Sequence, residues 1–488
     1  EGSDPWIWDY AMEGVAVPIA FDVPRLQAGA GLVPVRIGVI GGSEHPHQVA
    51  AEINGVAVGE LRFAGKTVGL LEGEVPVEAL RPTGNELRLQ YQAEGGTPED
   101  PGLLFLDMID LAVPLLPEGD AEVLSVGAFD ASAIDLGAVD YLVVTHPDFQ
   151  AAAERLRALK ESEGSRVAVV DVERAYDRYS GGVTEPNAIR ALIADLGRAV
   201  PAWGGEARQV LLLGDDSFDP RDFLGLGNTS YVPSLYGFDG VFGRVPSETR
   251  FADQDGDGRP DVGIGRLPVR TAAEADLLVE KTERFREAGI HKGHVIAVDE
   301  SQASDISFRG EGEGLRSRLP SGSVAFVDVE AQGVTAARSS LIEGLKRDPL
   351  TASYFGHGGF DVWSNQGLLR NADVASLEGT GGKTVLFSWT CETQWYVSEG
   401  RTLNEELLLV SGGGTVASVG PGGISDPTLQ VNLSRRVYDY YLAGRTLGEA
   451  VRRAKADALA EDPKLAPVVH GFSLLGDPSL KLRRLRSR

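Results

Sequence analysis

Two stretches decide the fold: Thr351-Ala-Ser-Tyr-Phe-Gly-His357-Gly-Gly359 and Lys383-Thr-Val-Leu-Phe-Ser-Trp-Thr-Cys391. Each carries a short apolar run, and each ends on a residue with chemistry. A short continuous apolar run bounded by turn signals marks a strand buried on both faces. Similar runs stand at 141–145, 166–171, 209–214, 262–265, 294–299, 323–328 and 414–419. Helical pieces lie between them, as at 151–160, 273–286 and 336–346. Buried strands alternating with helices mean parallel sheets joined by βαβ crossovers. The strands form one wide sheet or two smaller ones. The long helix at 273–286 suggests two α/β halves that meet near residue 270.

In a parallel sheet all carboxyl ends lie on one edge, and sites form there. If the two strands quoted above are neighbours, His357 and Cys391 emerge side by side. A neutral imidazole within reach of a thiol takes its proton, and the thiolate is the nucleophile. The glycines around His357 let a substrate backbone approach and leave N–H groups for an oxyanion. One Cys and one His also occur together in inert cores. Their shared placement at strand ends favours catalysis.

The first 115 or so residues read differently. Val15, Val17, Ile19, Phe21 and Val23 alternate with other residues, as do Val33, Val35, Ile37 and Val39, and Leu87, Leu89 and Tyr91. Period two means half-buried antiparallel strands, and a small β-sandwich is the economical reading. The prolines and the Glu-Gly-Asp between Pro114 and Asp120 look like a boundary. The chain therefore divides into a β-sandwich-like domain (1–118), a linker (119–136), an α/β half (137–270) and a second half (271–488) with the Cys–His site.

Composition narrows the function. The chain has 488 residues and a formal net charge of −25, which argues against nucleic acid as a partner. The single cysteine excludes an internal disulfide framework and a thiolate zinc cluster. No apolar run is long enough to insert in a membrane. The start, Glu1-Gly-Ser-Asp-Pro-Trp, is neither a signal peptide nor an initiator Met, which fits a processed form. Neither Gly-Lys-Thr triplet, at 65–67 and 382–384, has the upstream glycine of a P-loop. Gly310-Glu-Gly-Glu-Gly314 follows a strand and reads as a flexible turn before a helix.

Several motifs together resemble the gingipain-type cysteine peptidases, peptidase family C25. They are Tyr354-Phe-Gly-His357-Gly with Trp363 downstream, the Thr390-Cys391 strand end, and Asp261-Val-Gly-Ile-Gly-Arg-Leu-Pro-Val-Arg-Thr. Glu405-Glu-Leu-Leu-Leu, Gly412-Gly-Gly-Thr-Val-Ala and Leu474-Leu-Gly-Asp-Pro-Ser-Leu complete the set, which spans about residues 137–485. The resemblance implies a caspase-like fold and peptide-bond cleavage by acyl transfer. Cys391 would attack, His357 would act as acid and base, and the N–H groups of Gly358 and Cys391 would hold the oxyanion. The acid that orients the histidine in that family matches Asp261 here. Glu274 falls close to the family's pocket carboxylate, Asp426 is a second pocket candidate, and Trp395, which flanks the cysteine, is a candidate substrate contact. The sequence departs from the family after the nucleophile, where Glu392-Thr-Gln-Trp395-Tyr396 contains no glycine.

Asp253-Gln-Asp255-Gly-Asp257-Gly258 has alternating carboxylates with glycine sixth, the first half of a calcium loop. Ile264 replaces the bidentate Glu of a full EF-hand. The expectation is a structural Ca²⁺ held by Asp253, Asp255 and Asp257, with Asp261 facing the active site. No organic cofactor is expected. Of the six other histidines, His45 and His47 lack a third metal ligand, His146 reads as a packing or capping residue and His470 has no evident partner, while Asp215-Asp216 either caps a segment or binds a cation.

The reading is thus a cysteine endopeptidase acting on protein or peptide, secreted, periplasmic or at the cell surface. Transpeptidation by the same acyl-enzyme, an inactive scaffold keeping the fold, and an intracellular caspase-like protease are the alternatives.

Overall fold

A computed structural model describes residues 9–12, 16–27, 29–93, 102–114, 130–199, 208–220, 225, 227, 229–239, 244–287, 293–301 and 306–482. The chain divides into two compact units, residues 1–128 and 129–488.

In the first unit the alternating stretches form β1 (Asp9–Met12), β2 (Ala16–Phe21), β3 (Leu32–Gly41), β4 (Pro46–Ile53), β5 (Val56–Ala64), β6 (Val68–Pro76), β7 (Asn85–Ala93) and β8 (Leu103–Leu111). They make two four-stranded sheets, ordered β1-β8-β3-β6 and β2-β7-β4-β5. Val33, Val35, Ile37 and Val39 from one sheet share a core with Leu87, Leu89 and Tyr91 from the other. Period two thus turns one face of each sheet inward, as a sandwich requires. Val15 and linker residues 119–129 lie outside the described residues.

The second unit contains β9 (Tyr141–Thr145), β10 (Val167–Asp171), β11 (Gln209–Leu213), β12 (Tyr236–Phe238), β13 (Arg244–Pro246), β14 (Gly263–Leu267), β15 (His294–Val298), β16 (Val324–Asp328) and β17 (Thr351–Phe355). After these come β18 (Gly358–Gly359), β19 (Val362–Trp363), β20 (Leu369–Arg370), β21 (Thr384–Trp389), β22 (Thr415–Pro421) and β23 (Phe472–Leu475). Ten of the strands form one sheet, ordered β10-β9-β11-β14-β23-β22-β21-β17-β15-β16. Strands of both expected halves therefore lie in one wide, mostly parallel sheet. All nine apolar runs are strands of it. The tenth strand, β23, runs antiparallel to β22 and is only four residues long.

Helices cover the sheet because their apolar stripes have nowhere else to go. The helix Val334–Lys346 buries Ala337, Leu341 and Leu345 in one core with Val295, Ala297 and Ala352 of the sheet. The glycines of 310–314 are not a turn, however, but part of the helix Phe308–Arg316. A Cβ on Gly312 would stand 2.6 Å from Val298 Cγ1 and 3.1 Å from the Phe326 ring. Absence of a side chain there lets the helix lie close on the sheet, which outweighs glycine's low helix propensity. Among the described residues no helix is long and apolar enough to cross a membrane.

Candidate active site

β17 and β21 are adjacent and parallel, with Phe355 opposite Trp389. His357 and Cys391 each stand two residues beyond that last pair, at neighbouring strand tips. A Cβ on Gly358 would lie 2.4 Å from Thr390 Oγ1 and 3.3 Å from the Cys391 carbonyl. The chain leaving His357 therefore passes directly over the Cys391 tip, and only glycine permits that approach.

The backbone of His357 is held at both ends. Its N–H donates to Asp299 Oδ2 at 3.2 Å. Its carbonyl accepts from Ser364 N–H and from the Tyr354 hydroxyl, both at 2.7 Å. The same hydroxyl lies 3.2 Å from Asp299 Oδ2. Tyr354 stacks on Trp363 with ring centroids 4.5 Å apart. Asp299 reaches this place because β15 is the other neighbour of β17, with Val298 opposite Phe355. Gly356 leaves room for it, since a Cβ there would stand 2.4 Å from both Asp299 Cβ and the Tyr354 hydroxyl. The His357 ring meets Phe308 edge-on at 5.4 Å, and its Nε2 is buried without a hydrogen-bond partner.

Cys391 is held from the opposite side. Gln430 donates to the carbonyls of Thr390 and Ser425, tying the strand tip to the segment before the helix Pro427–Leu442. The thiol donates to the Ser425 carbonyl at 3.6 Å. Among the described residues nothing accepts from the Cys391 N–H, which stays available to an oxyanion. Burial pushes the thiol above its ordinary value of 9.0, the Ser425 contact opposes this, and the charges of Glu392 and Asp239 add to it. Only the thiolate reacts with alkylating agents. The free protein should therefore react slowly with iodoacetamide at pH 7, with a rate still rising above pH 9. A rate that levels off below pH 8, followed by mass spectrometry of the Cys391 peptide, would contradict this.

The structure separates Asp261 from this pair. Asp261 stands just before the amino end of β14, where its Oδ2 accepts from Gln254 N–H. The loops after β14 and β21 meet, because Arg401 donates to the Pro268 carbonyl and Arg270 to the Ser398 carbonyl. The carboxyl ends of these strands thus share an edge, and Asp261 lies at the other. The acid beside His357 is Asp299, which the sequence reading did not single out.

Asp261 instead joins Asp253 and Asp255, with one carboxylate oxygen of each within 4.8 Å of the others. Asp257, expected in this group, turns away: it accepts from Arg259 N–H and faces the Arg259 side chain. The loop is closed by Gly256 and Gly258 N–H groups donating to Asp253. Both glycines have positive φ, 83° and 85°, which a side chain would strain.

The three pocket candidates also have definite places. Glu274 accepts two bonds from Arg401 and one from Arg270 N–H, so it is an ion-pair partner and not an open pocket carboxylate. Asp426 caps the helix Pro427–Leu442 through Thr428 and Leu429 N–H, one residue after the Ser425 carbonyl that receives the thiol. Trp395 is half-buried and stacks on Phe360. Asp215 pairs with Arg270 and Arg401, while Asp216 accepts from Ser230 and Ser234. His47 bonds Tyr91, His146 accepts from Asp148 N–H, and His470 contacts Ser247.

Comparisons with known proteins give a family and a fold. The family model described as peptidase family C25 matches residues 134–483. No curated protein sequence matches. The complex of Porphyromonas gingivalis RgpB pro- and mature domains is similar at 18% identity and TM-score 0.57, over 70% of this chain and 79% of that one. The Arg-specific cysteine proteinase gingipain R (RGPB) is similar at 16% identity and TM-score 0.58, over 71% of this chain and 79% of that one. At such identities the structural likeness concerns the fold.

Proposed function

Because the chain belongs to peptidase family C25, we propose that it is a cysteine endopeptidase with Cys391 as nucleophile and His357 as general base and acid. The observation that carries this reading is the register of β17 on β21, which brings the two strand tips together.

The steps follow from the groups present. The thiol turns from the Ser425 carbonyl toward the imidazole and gives it a proton as Sγ attacks the scissile carbonyl carbon. The oxygen becomes an oxyanion and takes the N–H groups of Cys391 and Gly358. The C–N bond breaks, the imidazolium returns its proton to the departing amine, and a thioester remains. Water, deprotonated by the same imidazole, then releases the acid and restores the thiol. An amine in place of water would give transpeptidation.

We assign Ca²⁺ to Asp253, Asp255 and Asp261. Oxygen-only donors at a glycine turn suit a hard cation, and the carboxylates that cap the loop keep further lone pairs free. Bound calcium would offset the repulsion at Asp261, whose carboxyl is pushed up by burial, held back by the Gln254 N–H, and raised further by the charges of Asp255, Asp253 and Asp257. The extracellular or periplasmic space, where calcium is plentiful, is the location this supports.

The test is a fluorogenic peptide library with the wild-type protein, in calcium and in chelator, before and after alkylation of Cys391. Cleavage that disappears on alkylation is expected, with a lower melting temperature in chelator that added calcium restores. Cleavage unaffected by complete alkylation would remove the mechanism, and melting indifferent to calcium would remove the metal site. Product analysis with an added amine separates hydrolysis from transpeptidation.

A further inference from the structure

Two walls flank Cys391. One is acidic. Glu392 N–H donates to the Gly423 carbonyl, and Asp239 Oδ2 is 3.1 Å from where a Cβ on Gly423 would stand. The other is aromatic. The turn between β18 and β19 carries Phe360, three residues past His357, and the loop after β21 carries Trp395, four residues past Cys391. The two rings stack with centroids 5.2 Å apart and planes inclined by 21°. Leu403 N–H donates to the Phe360 carbonyl and Trp395 N–H to the Glu392 carbonyl, so both ends of the stack are anchored by backbone.

Accessibility decides between the walls. Asp239 is only 6% exposed and Glu392 is half-buried, whereas Phe360 is 38% exposed, one of seven exposed large apolar side chains among the described residues. An open aromatic face invites cover by another apolar group. The buried Trp395 Nε1–H has no acceptor within the described protein.

We propose that the Phe360–Trp395 stack determines specificity, by receiving an aromatic or long aliphatic side chain next to the scissile bond. This rests on the peptidase reading above. It names a substrate class that an acidic pocket would not select.

The test uses peptides with Phe, Leu, Ala or Arg at each position around the scissile bond. Binding is measured by calorimetry to Cys391→Ala, which needs no turnover, and cleavage is measured with the wild-type protein. Peptides bearing Phe or Leu should bind at least tenfold tighter than those bearing Ala or Arg at one position. Phe360→Ser should erase that preference, raising KM for the Phe peptide with kcat little changed, while Trp395→Phe should largely keep it. A preference for Arg untouched by Phe360→Ser would overturn the proposal and favour the acidic wall. Cleavage with no preference at any position would overturn it too, leaving the peptidase reading intact. Selective binding without any cleavage would uphold the surface and sink the catalytic reading.

Discussion

Cys391→Ala and His357→Ala should each lower kcat by about six orders of magnitude, and the double variant should be no worse than either alone. The two side chains act on one proton. Without the thiol the imidazole has nothing to deprotonate, and without the imidazole a thiol raised by burial stays protonated at neutral pH. Both residues are only partly buried and lie beyond the strand ends, so neither change opens the sheet core. Melting temperatures should therefore remain near the wild-type value. The measurement is hydrolysis of a fluorogenic peptide by all three variants, with single-turnover acylation by an activated ester for His357→Ala and melting followed in parallel. Losses that multiply in the double variant would mean that the residues work independently. Retained acylation in His357→Ala would leave the neighbouring strand tips without a catalytic meaning.

The strands were legible because a buried parallel strand has only one pattern, an unbroken apolar run, and this chain repeats it. The two neighbouring strand tips were legible because two such runs end on Gly-His-Gly and Thr-Cys. Asp299 was not, and the reason is specific. Asp171, Asp215, Asp299 and Asp328 all close or follow a strand. Asp171 and Asp328 cap the next helix, and Asp215 binds arginines. Nothing local distinguishes the fourth. Only the strand order, with β15 beside β17, brings Asp299 to His357. That order is set by contacts far apart in sequence, and it could have been proposed by asking which strand-end acid follows a neighbour of the histidine strand. Asp261 misled for the converse reason: its place in a motif fixed its number but not its edge of the sheet. The acidic cluster was legible in Asp253, Asp255 and the loop glycines. The exchange of Asp257 for Asp261 depends on how the loop closes, through Gly258 and Gln254.

Arg401→Met should cost about 3–5 kcal/mol of stability at neutral pH, the range for removing one partner from a buried ion network. Arg401 is largely buried and donates to Asp215, to Glu405, twice to Glu274 and to the Pro268 carbonyl. Its loss leaves Asp215 and Glu405, both fully buried, with Arg270 alone to balance them. The cost should depend on pH with a definite sign. Burial pushes the Glu405 carboxyl from 4.5 up to about 7; the charge of Asp215 adds to this and Arg401 opposes it. A carboxyl raised in the folded state holds a proton there that the unfolded chain has released, between pH 4.5 and about 7. Stability from this group is thus greatest at low pH and falls as pH rises through about 7. Removing Arg401 raises the carboxyl further, so the deficit of the variant should be largest near pH 8 and shrink toward pH 5. Because Arg401 ends the segment that begins at Cys391, kcat should fall as well, with the fall easing at the pH where the fold recovers. Urea denaturation of both proteins at pH 5 and pH 8 reads the effect. An equal deficit at the two values would show that the network does not titrate, and no deficit would show that the loop after the nucleophile is fixed by its backbone contacts alone.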